Sequence, residues 1–238
     1  MGQGWSWSGF FDYLFNPFIL GGVVTTIWLT LAAIAGGLML GCALALARLS
    51  KNRWLYAPAH FYIWLFRGTP LMVQLIIIYT GLPQLGLKFS VVESALLGLI
   101  LNEAAYLAEI VRGGIQSIPA GQANAARAMG FTGFQTIRFI ILPQAMRLII
   151  PSLGNSINGL LKTTSVTSVI SMEELLRRSQ VLIQEKFMVL ELFMVAALYY
   201  LLLTSLWDFV QRRIERCYGR AYSSASDSKA PARVQETM

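Results

Sequence analysis

Ionisable side chains stand inside stretches of sequence that are otherwise apolar enough to cross a membrane, and four of them could take part in chemistry. They are Arg67, Glu103, Glu109 and Lys162. An ionised group at membrane depth costs at least a few kcal/mol, so it requires a charged partner, water or a ligand. Pairing between helices, or extension of Arg67 and Glu109 to an interface, would meet this requirement without any ligand. Glu103 and Lys162 lie deeper, and they are the better candidates to face a polar cavity.

The segments that hold these charges are long and apolar. The chain has 238 residues, of which 55% are hydrophobic and 13% charged, against about 25% charged in a typical soluble domain. No Asp, Glu, Lys, Arg or His occurs between Asp12 and Arg48. A membrane-spanning helix needs about 20 apolar residues. The sequence therefore predicts an all-α integral membrane protein with about five transmembrane helices, at residues 20–46, 57–82, 94–110, 145–165 and 189–209.

The fourth of these spans has the weakest helical pattern, because Pro151, Gly154 and Gly159 fall within it. Membrane helices tolerate such residues where neighbouring helices satisfy the freed backbone groups. The predicted organisation is an extracytoplasmic segment at 1–19, a transmembrane domain at 20–210 with a cytoplasmic loop at about 118–143, and a basic tail at 211–238. The tail is rich in Ser, Ala and charge from residue 223 onwards, which is typical of disorder.

The positions of the cations indicate the orientation. Cation-rich segments follow the first, third and fifth spans, so alternate threading places all of them on one face, which the positive-inside rule assigns to the cytoplasm. The N-terminus is then outside and the C-terminus inside. Cytoplasmic loops also explain the net charge of +7 without nucleic acid. The outer face carries acidic residues that are either solvated surface or a docking surface for a partner: Asp12, Glu93, Glu173, Glu174, Glu185 and Glu191.

No pattern of an enzyme or a metal site is present. The sequence contains no Walker A motif, no H-E-x-x-H and no G-x-S-x-G. Its single histidine, His60, stands at the start of the second span, where a packed or interfacial residue is the ordinary interpretation. The first cation is Arg48, so the N-terminus does not read as a cleavable signal. The chain is not expected to be an enzyme, and neither catalytic nor metal-binding residues are predicted.

The loop at 118–143 contains a short helix rich in small residues. Residues 122–129 are dense in alanine, and Gly130 follows them as a favoured residue for ending a helix. Small side chains let a helix enter a groove on another protein because the backbones approach closely. A helix lying on the membrane surface would have the same composition, so both interpretations remain open.

The order of residues in this loop resembles the "EAA…G…I-LP" motif of ABC importer permeases. The matching residues are Asn124-Ala125-Ala126, Gly130, Ile140 and Leu142-Pro143, with Asn124 where the family usually has Glu. Any salt bridge made by that Glu is therefore in doubt. Glu103-Ala104-Ala105 has the residue types of the first motif element, but it lies inside the third span and is therefore not the predicted coupling segment. The resemblance implies that the loop forms a coupling helix for an ATP-hydrolysing subunit, through Gly121, Ala123, Asn124, Ala125, Ala126, Gly130, Leu142 and Pro143.

Three further segments resemble the polar amino-acid permeases of that group. Residues 66–74 (FRGTPLMVQ) resemble "RGTPLLVQ", and residues 105–122 resemble "AYLAEI-RGGI…IP-GQ". Residues 162–165 (KTTS) resemble "KDTS", with Thr163 in place of Asp. The similarity extends from about residue 21 to residue 199. It implies the type I ABC importer permease fold.

The resemblance also implies a substrate pocket at mid-membrane among the second, third and fourth spans. A free amino acid enters a dry cavity only if charges or dipoles replace its hydration. Carboxylates suit its ammonium group, and hydroxyls, backbone N–H groups or a cation suit its carboxylate. Hydroxyls beside interrupted helices, a known device of transporters, add to the candidate pocket residues, which are Glu109, Glu103, Thr69, Lys162, Thr163, Thr164 and Ser165.

The partners are likewise implied by the resemblance. The chain would be a subunit of an ATP-driven importer of polar amino acids in a bacterial inner membrane, paired with itself or a homologous permease. Two ATPase subunits would hold ATP and Mg²⁺, so that no cofactor lies on this chain, and an extracytoplasmic solute-binding protein would deliver the substrate. The alternative is a secondary transporter or channel for small polar solutes driven by an ion gradient, which leaves the alanine-rich loop unexplained.

Overall fold

The computed structural model describes residues 5–226, and beyond Cys217 only their backbone. Within these residues the chain is helical and contains no strand. The helices are α1 (Trp7–Leu14), α2 (Pro17–Leu49), α3 (Arg53–Gly68), α4 (Leu71–Ile76), α5 (Val91–Gln116), α6 (Ala120–Ala128), α7 (Gly133–Gln135), α8 (Leu142–Thr163), α9 (Leu175–Lys186) and α10 (Val189–Ser226). Turns of π or 3₁₀ type extend three of them, at Ile77–Gly81, Leu82–Leu85, Thr136–Ile141 and Thr164–Ile170.

Four segments of the described chain are long and apolar enough to cross a membrane: Pro17–Leu49, Val91–Gln116, Gly133–Ile170 and Val189–Cys217. A fifth span exists if α3 and Leu71–Leu85, which are bent by 104° against each other, count as one. The expectation of about five spans is met on this count. The second span is bent at Gly68-Thr69-Pro70, where the sequence indicated an interruption within 57–82, and the fourth begins twelve residues before the expected 145, at Gly133.

Helices α2 and α5 pack closely because both present small residues. Gly37, Gly41 and Ala45 recur at every fourth position of α2 and are buried, and α5 buries Ala104 and Ala108. A Cβ atom at Gly41 would lie 3.0 Å from the carbonyl oxygen of Ala104, so a larger side chain would push the helices apart. Membrane helices associate largely through such close contacts. The pair forms a rigid frame for the two glutamates of α5.

The sharp bend of the second span follows from the sequence Gly68-Thr69-Pro70. A residue before proline disfavours the helical conformation, and Thr69 is extended, with φ −119° and ψ 143°. The break leaves carbonyl groups without their partners in a continuous helix. Gln74 Nε2 donates hydrogen bonds to the carbonyl oxygens of Phe66 (2.9 Å) and Thr69 (3.0 Å). These bonds supply partners for carbonyl groups at the break.

Helix α8 continues through the residues that weakened its pattern. Pro151, Gly154 and Gly159 all lie inside it. Helix α10 supports this stretch from the side, because Trp207 Nε1 donates to the carbonyl oxygen of Gly154 at 2.8 Å and Gln211 Nε2 to that of Pro151 at 3.4 Å. The fourth span is therefore unbroken between Leu142 and Thr163.

Helix α9 is fixed across the end of the bundle by a buried glutamate. Glu174 caps this helix with no exposed surface, accepting hydrogen bonds from the Arg177 N–H at 2.8 Å and the Tyr200 hydroxyl at 2.6 Å. Burial raises the pKa of the Glu174 carboxyl, and these hydrogen bonds oppose the shift. Glu191 is buried as well and accepts from the Ser6 N–H at 2.8 Å. The expectation that these two acids belong to an exposed surface is therefore wrong.

Helix α10 extends to Ser226. Residues 223–226, which were expected to be disordered, are therefore helical. The rest of that expectation, at 227–238, lies outside the described residues, as do residues 1–4 of the predicted N-terminal segment.

Candidate functional site

A polar cavity of about 390 Å³ lies at the bend of the second span, between that span, α5 and α8. Its glutamate, Glu103, stands at the middle of α5 and therefore at the middle of a membrane span. The polar side chains of the lining come from three different spans: Thr69, Asn102, Glu103, Tyr106, Ser156 and Thr163. Hydroxyls, an amide and one carboxylate thus line one site at mid-membrane.

The Glu103 carboxylate is buried without a cation. The residue is 7% exposed, and α2 approaches so closely that a Cβ atom at Gly37 would lie 3.2 Å from Glu103 Cβ. Ser156 Oγ donates a hydrogen bond to Glu103 Oε1 at 2.5 Å. Among the described residues, no basic nitrogen lies within 4.0 Å of this carboxylate. The Ser156 hydroxyl is therefore the only hydrogen-bond partner of this carboxyl group in the part of the chain that the structure describes.

Amide side chains connect this cavity to the helix break. Asn102 Nδ2 donates to Gln74 Oε1 at 3.1 Å and to the carbonyl oxygen of Phe66 at 3.3 Å. Gln74 Nε2 in turn donates to Thr69 Oγ1 at 2.8 Å. The position of Thr69 in the lining thus depends on two amides from α4 and α5, and a movement of the bend would change the shape of the cavity.

Glu109 occupies a different environment, surrounded by arginines. Arg112 Nη2 lies 2.6 Å from Glu109 Oε2, and Arg112 Nε also donates to this carboxylate. Arg48 Nε lies 3.8 Å and Arg67 Nη1 4.0 Å from it. Glu109, Arg48 and Arg67 border a second cavity, of about 410 Å³. Tyr106 borders both cavities, and the two glutamates lie on opposite sides of it.

The remaining predicted pocket residues lie mostly outside the lining. Lys162 is exposed and does not border either cavity. The hydroxyls of Thr164 and Ser165 donate to carbonyl oxygens of their own helix, those of Leu161 (2.9 Å) and Lys162 (2.6 Å). Thr163 donates likewise to Gly159, at 3.1 Å, but also borders the Glu103 cavity. The structure therefore brings Glu103, Thr69 and Thr163 together and leaves the other predicted members apart.

The predicted coupling segment forms a short helix of its own. Helix α6 spans Ala120–Ala128 and ends with Gly130 in the left-handed region at φ +83°. The Phe131 N–H donates to the carbonyl oxygen of Ala126 across this turn, at 3.1 Å. The Asn124 side chain accepts from Arg127 Nη2 at 3.1 Å. Exposed along the helix are Gly121, Asn124 and Ala125, whereas Ala126 is buried; Leu142 and Pro143 begin α8.

The comparison with known families decides the class of protein. The profile of the family described as "Binding-protein-dependent transport system inner membrane component" matches residues 37–219. The chain belongs to this family. The matched region includes α3 to α9, both cavities and α6, so the permease core of the family is the part of the chain that carries the site.

Individual permeases of the family are similar over most of their length. The arginine transport system permease protein ArgU of Corynebacterium glutamicum is 39% identical over 230 residues, which cover 90% of this chain and 72% of that protein. The octopine transport system permease protein OccM of Rhizobium meliloti is 43% identical over 202 residues, covering 80% and 82%. A crystal structure of an amino acid ABC transporter matches with a TM-score of 0.85 and 33% identity, covering 90% and 99%.

These findings confirm the resemblance drawn from the four motifs and the type I ABC importer permease fold. The protein is a multi-pass permease subunit of an inner-membrane importer. The family is described as a transport component and not as an enzyme. Sequence reasoning did not single out Asn102 and Ser156 in the lining, or Arg48 and Arg112 around Glu109. Asn102 precedes Glu103 in the chain. A polar side chain in the middle of a membrane span could have marked it as a lining residue.

Proposed function

We propose that this permease translocates a polar amino acid through the cavity at Glu103, and that Glu103 receives the substrate's ammonium group. The buried carboxylate without a cation carries this proposal. An unanswered negative charge at mid-membrane is costly unless a ligand, water or a proton compensates it. A substrate ammonium group would supply that compensation each time the cavity is filled. The arginine, octopine and amino-acid transporters among the relatives all handle solutes with such groups.

The other polar groups of the lining suit the remaining parts of an amino acid. Thr69 and Thr163 border the cavity with hydroxyl groups that donate to carbonyl oxygens one turn back in the chain, those of Leu65 and Gly159. Rotation of either hydroxyl would let it donate to a carboxylate without adding a fixed charge. A volume of about 390 Å³ lies within the range of small-molecule sites, about 300 to 1,000 Å³. We assign Glu109 a weaker claim, because three arginines already surround it. Lys162, Thr164 and Ser165 remain candidates only if the pocket changes shape during transport.

We further propose that α6 docks on a separate ATPase subunit, which would hold the ATP and Mg²⁺. Met129 and Phe134 flank the Gly130 turn and are each 77% exposed. Large apolar side chains at the tip of a cytoplasmic loop suit a groove in a partner protein. The working unit would contain two permeases, either identical or homologous, two ATPases and an extracytoplasmic binding protein. The N-terminus and α9 would lie outside and α6 in the cytoplasm, as the positive-inside rule requires.

The experiment compares Glu103→Gln with Asp12→Asn in the reconstituted transporter. Both changes remove one carboxylate charge, but Asp12 lies exposed on α1, away from both cavities. Loss of a charge-assisted hydrogen bond of about 1.5–3 kcal/mol should weaken apparent substrate affinity about ten- to a hundredfold. Uptake with ATP should fall for Glu103→Gln while assembly with the ATPase is retained, and Asp12→Asn should match the wild type.

Two results would count against this proposal. A well-assembled Glu103→Gln transporter with unchanged substrate affinity would remove Glu103 from the substrate site, and Glu109→Gln would then be tested in the same assay. Uptake that follows an imposed ion gradient and does not need ATP would instead favour the secondary transporter.

A further inference from the structure

The cavity at Glu109 carries an excess of positive charge. Three guanidinium groups, those of Arg48, Arg67 and Arg112, surround a single carboxylate. Arg112 satisfies Glu109 in close geometry at 2.6 Å, whereas the other two arginines stand at 3.8 and 4.0 Å. One of the three charges is therefore neutralised, and two are left for another anion.

The two outer arginines also have unused hydrogen-bond donors. Among the described residues, neither Arg48 nor Arg67 donates a side-chain hydrogen bond, and Arg48 Nε is buried without a partner. Each guanidinium instead lies over an aromatic ring, Arg48 4.7 Å from the centre of Tyr56 and Arg67 5.4 Å from that of Tyr106. An unsatisfied buried donor is unfavourable. An acceptor group with several oxygens would relieve it.

The rim of this cavity is aromatic and apolar. Trp64 borders the cavity and is 63% exposed, and Phe61 packs beside it with ring centres 5.8 Å apart. His60 and Arg67 also border the opening. Cationic groups next to exposed aromatic rings, near the cytoplasmic ends of α2 and α5, match the level of lipid headgroups in the orientation proposed above.

We propose that this cavity binds the phosphate group of an anionic phospholipid from the cytoplasmic leaflet. The planar forks of Arg48 and Arg67 fit phosphate oxygens in a way that an ammonium group does not. The exposed rings of Phe61 and Trp64 would lie along the acyl chains. Glu109 then holds Arg112 in place and limits the excess charge, so that the site takes one anion. The choice of the cytoplasmic leaflet rests on the proposed orientation of the chain, whereas lipid binding itself does not.

The test measures lipid binding to the intact complex in detergent by native mass spectrometry. Phosphatidylglycerol is compared with phosphatidylcholine for the wild type, Arg67→Gln and Arg67→Lys. Arg53→Gln is the matched control, because Arg53 is exposed at the start of the same helix and does not border the cavity. Arg67 is suitable for substitution because its side chain is 46% exposed, so the variant should fold.

We expect the wild type to retain phosphatidylglycerol in preference to phosphatidylcholine. Arg67→Gln should weaken this binding about tenfold, as loss of one charge-assisted contact predicts, with an intermediate result for Arg67→Lys and no change for Arg53→Gln. Equal lipid binding by wild type and Arg67→Gln, or equal loss in the Arg53→Gln control, would overturn the proposal. Binding of inorganic phosphate without any preference for phosphatidylglycerol over phosphatidylcholine would also overturn it, and would identify a site for soluble phosphate.

The same variants separate this proposal from the proposed function. Detergent-solubilised binding does not depend on sidedness, on the ATPase cycle or on Glu103. A loss of substrate affinity in Arg67→Gln, measured in vesicles of phosphatidylcholine alone, would show that the arginines serve the substrate and would also overturn the lipid site.

Discussion

Replacing Gly130 by alanine should weaken the docking of α6 on its ATPase while leaving the transmembrane helices intact. Gly130 ends α6 at φ +83°, and no heavy atom outside its own turn lies within 4 Å of the position where a Cβ atom would stand. The added methyl group therefore meets no neighbour. Its only cost is the left-handed backbone conformation, about 1–2 kcal/mol for a residue with a Cβ atom.

That cost sets the size of the expected effect. If the docking-competent turn is lost to this extent, the apparent affinity for the ATPase should fall about five- to thirtyfold, since 1.4 kcal/mol corresponds to a factor of ten. Gly130→Asn should fall between wild type and alanine, because asparagine tolerates the left-handed region better than other residues. Gly130→Asp should behave similarly in conformation but add a negative charge to the docking surface.

The assay is titration of the ATPase subunit onto the permease in nanodiscs, with ATP hydrolysis as a second readout. Gly133→Ala is the matched control. The Gly133 position also has open space around it, but its φ is not positive. Equal affinities for Gly130→Ala and Gly133→Ala would refute the reasoning, because the conformational cost would then have no consequence for docking.

Three further predictions concern stability and orientation. Gln74→Leu should lower the free energy of unfolding by about 1–3 kcal/mol, because carbonyl groups at the helix break lose their donor. Thermal melts compare this variant with Gln84→Leu, because the Gln84 side chain makes a single hydrogen bond, of 3.4 Å. Equal melting temperatures of the two variants would contradict the prediction. The raised folded-state pKa of Glu174 means that its stabilising contribution is present below the unfolded pKa and is lost as pH rises through the folded value. The melting temperature of Glu174→Gln relative to wild type should therefore rise from pH 4 to pH 7, and a flat difference would argue against it. Cysteine placed at Asn124 should be labelled only from the cytoplasm and cysteine at Lys186 only from outside; the reverse result would invert the proposed orientation.

Much of the fold follows from local features of the sequence. The absence of charge from Asp12 to Arg48 predicts a span, and Thr69-Pro70 predicts a break, because the residue before proline avoids the helical conformation. Gly130 predicts the end of α6 for a similar backbone reason. These outcomes depend on residues a few positions apart. The order and spacing of the four motifs predicted the family in the same way.

The continuity of the fourth span was less predictable. Proline and glycines in the fourth span weaken the local pattern, yet α8 continues because α10 donates hydrogen bonds to it from residues more than fifty positions away. The burial of Glu174 is similar, since Tyr200 comes from another helix. Non-local support of this kind has no signature in a window of neighbouring residues.

The sequence by itself determined that two carboxylates lie in the third span. Only the tertiary structure decided which groups contact each of them. Six residues of α-helix leave Glu103 and Glu109 about 120° apart around the helix axis, so the two side chains point in different directions. Which face meets which neighbour depends on how α5 packs against α2, α3 and α8. That packing places Glu103 against the Ser156 hydroxyl, 53 residues away, and Glu109 among the arginines. The groups within about 4 Å of a carboxylate decide whether it is a candidate substrate ligand or part of an ion pair. The fold alone brings those groups together.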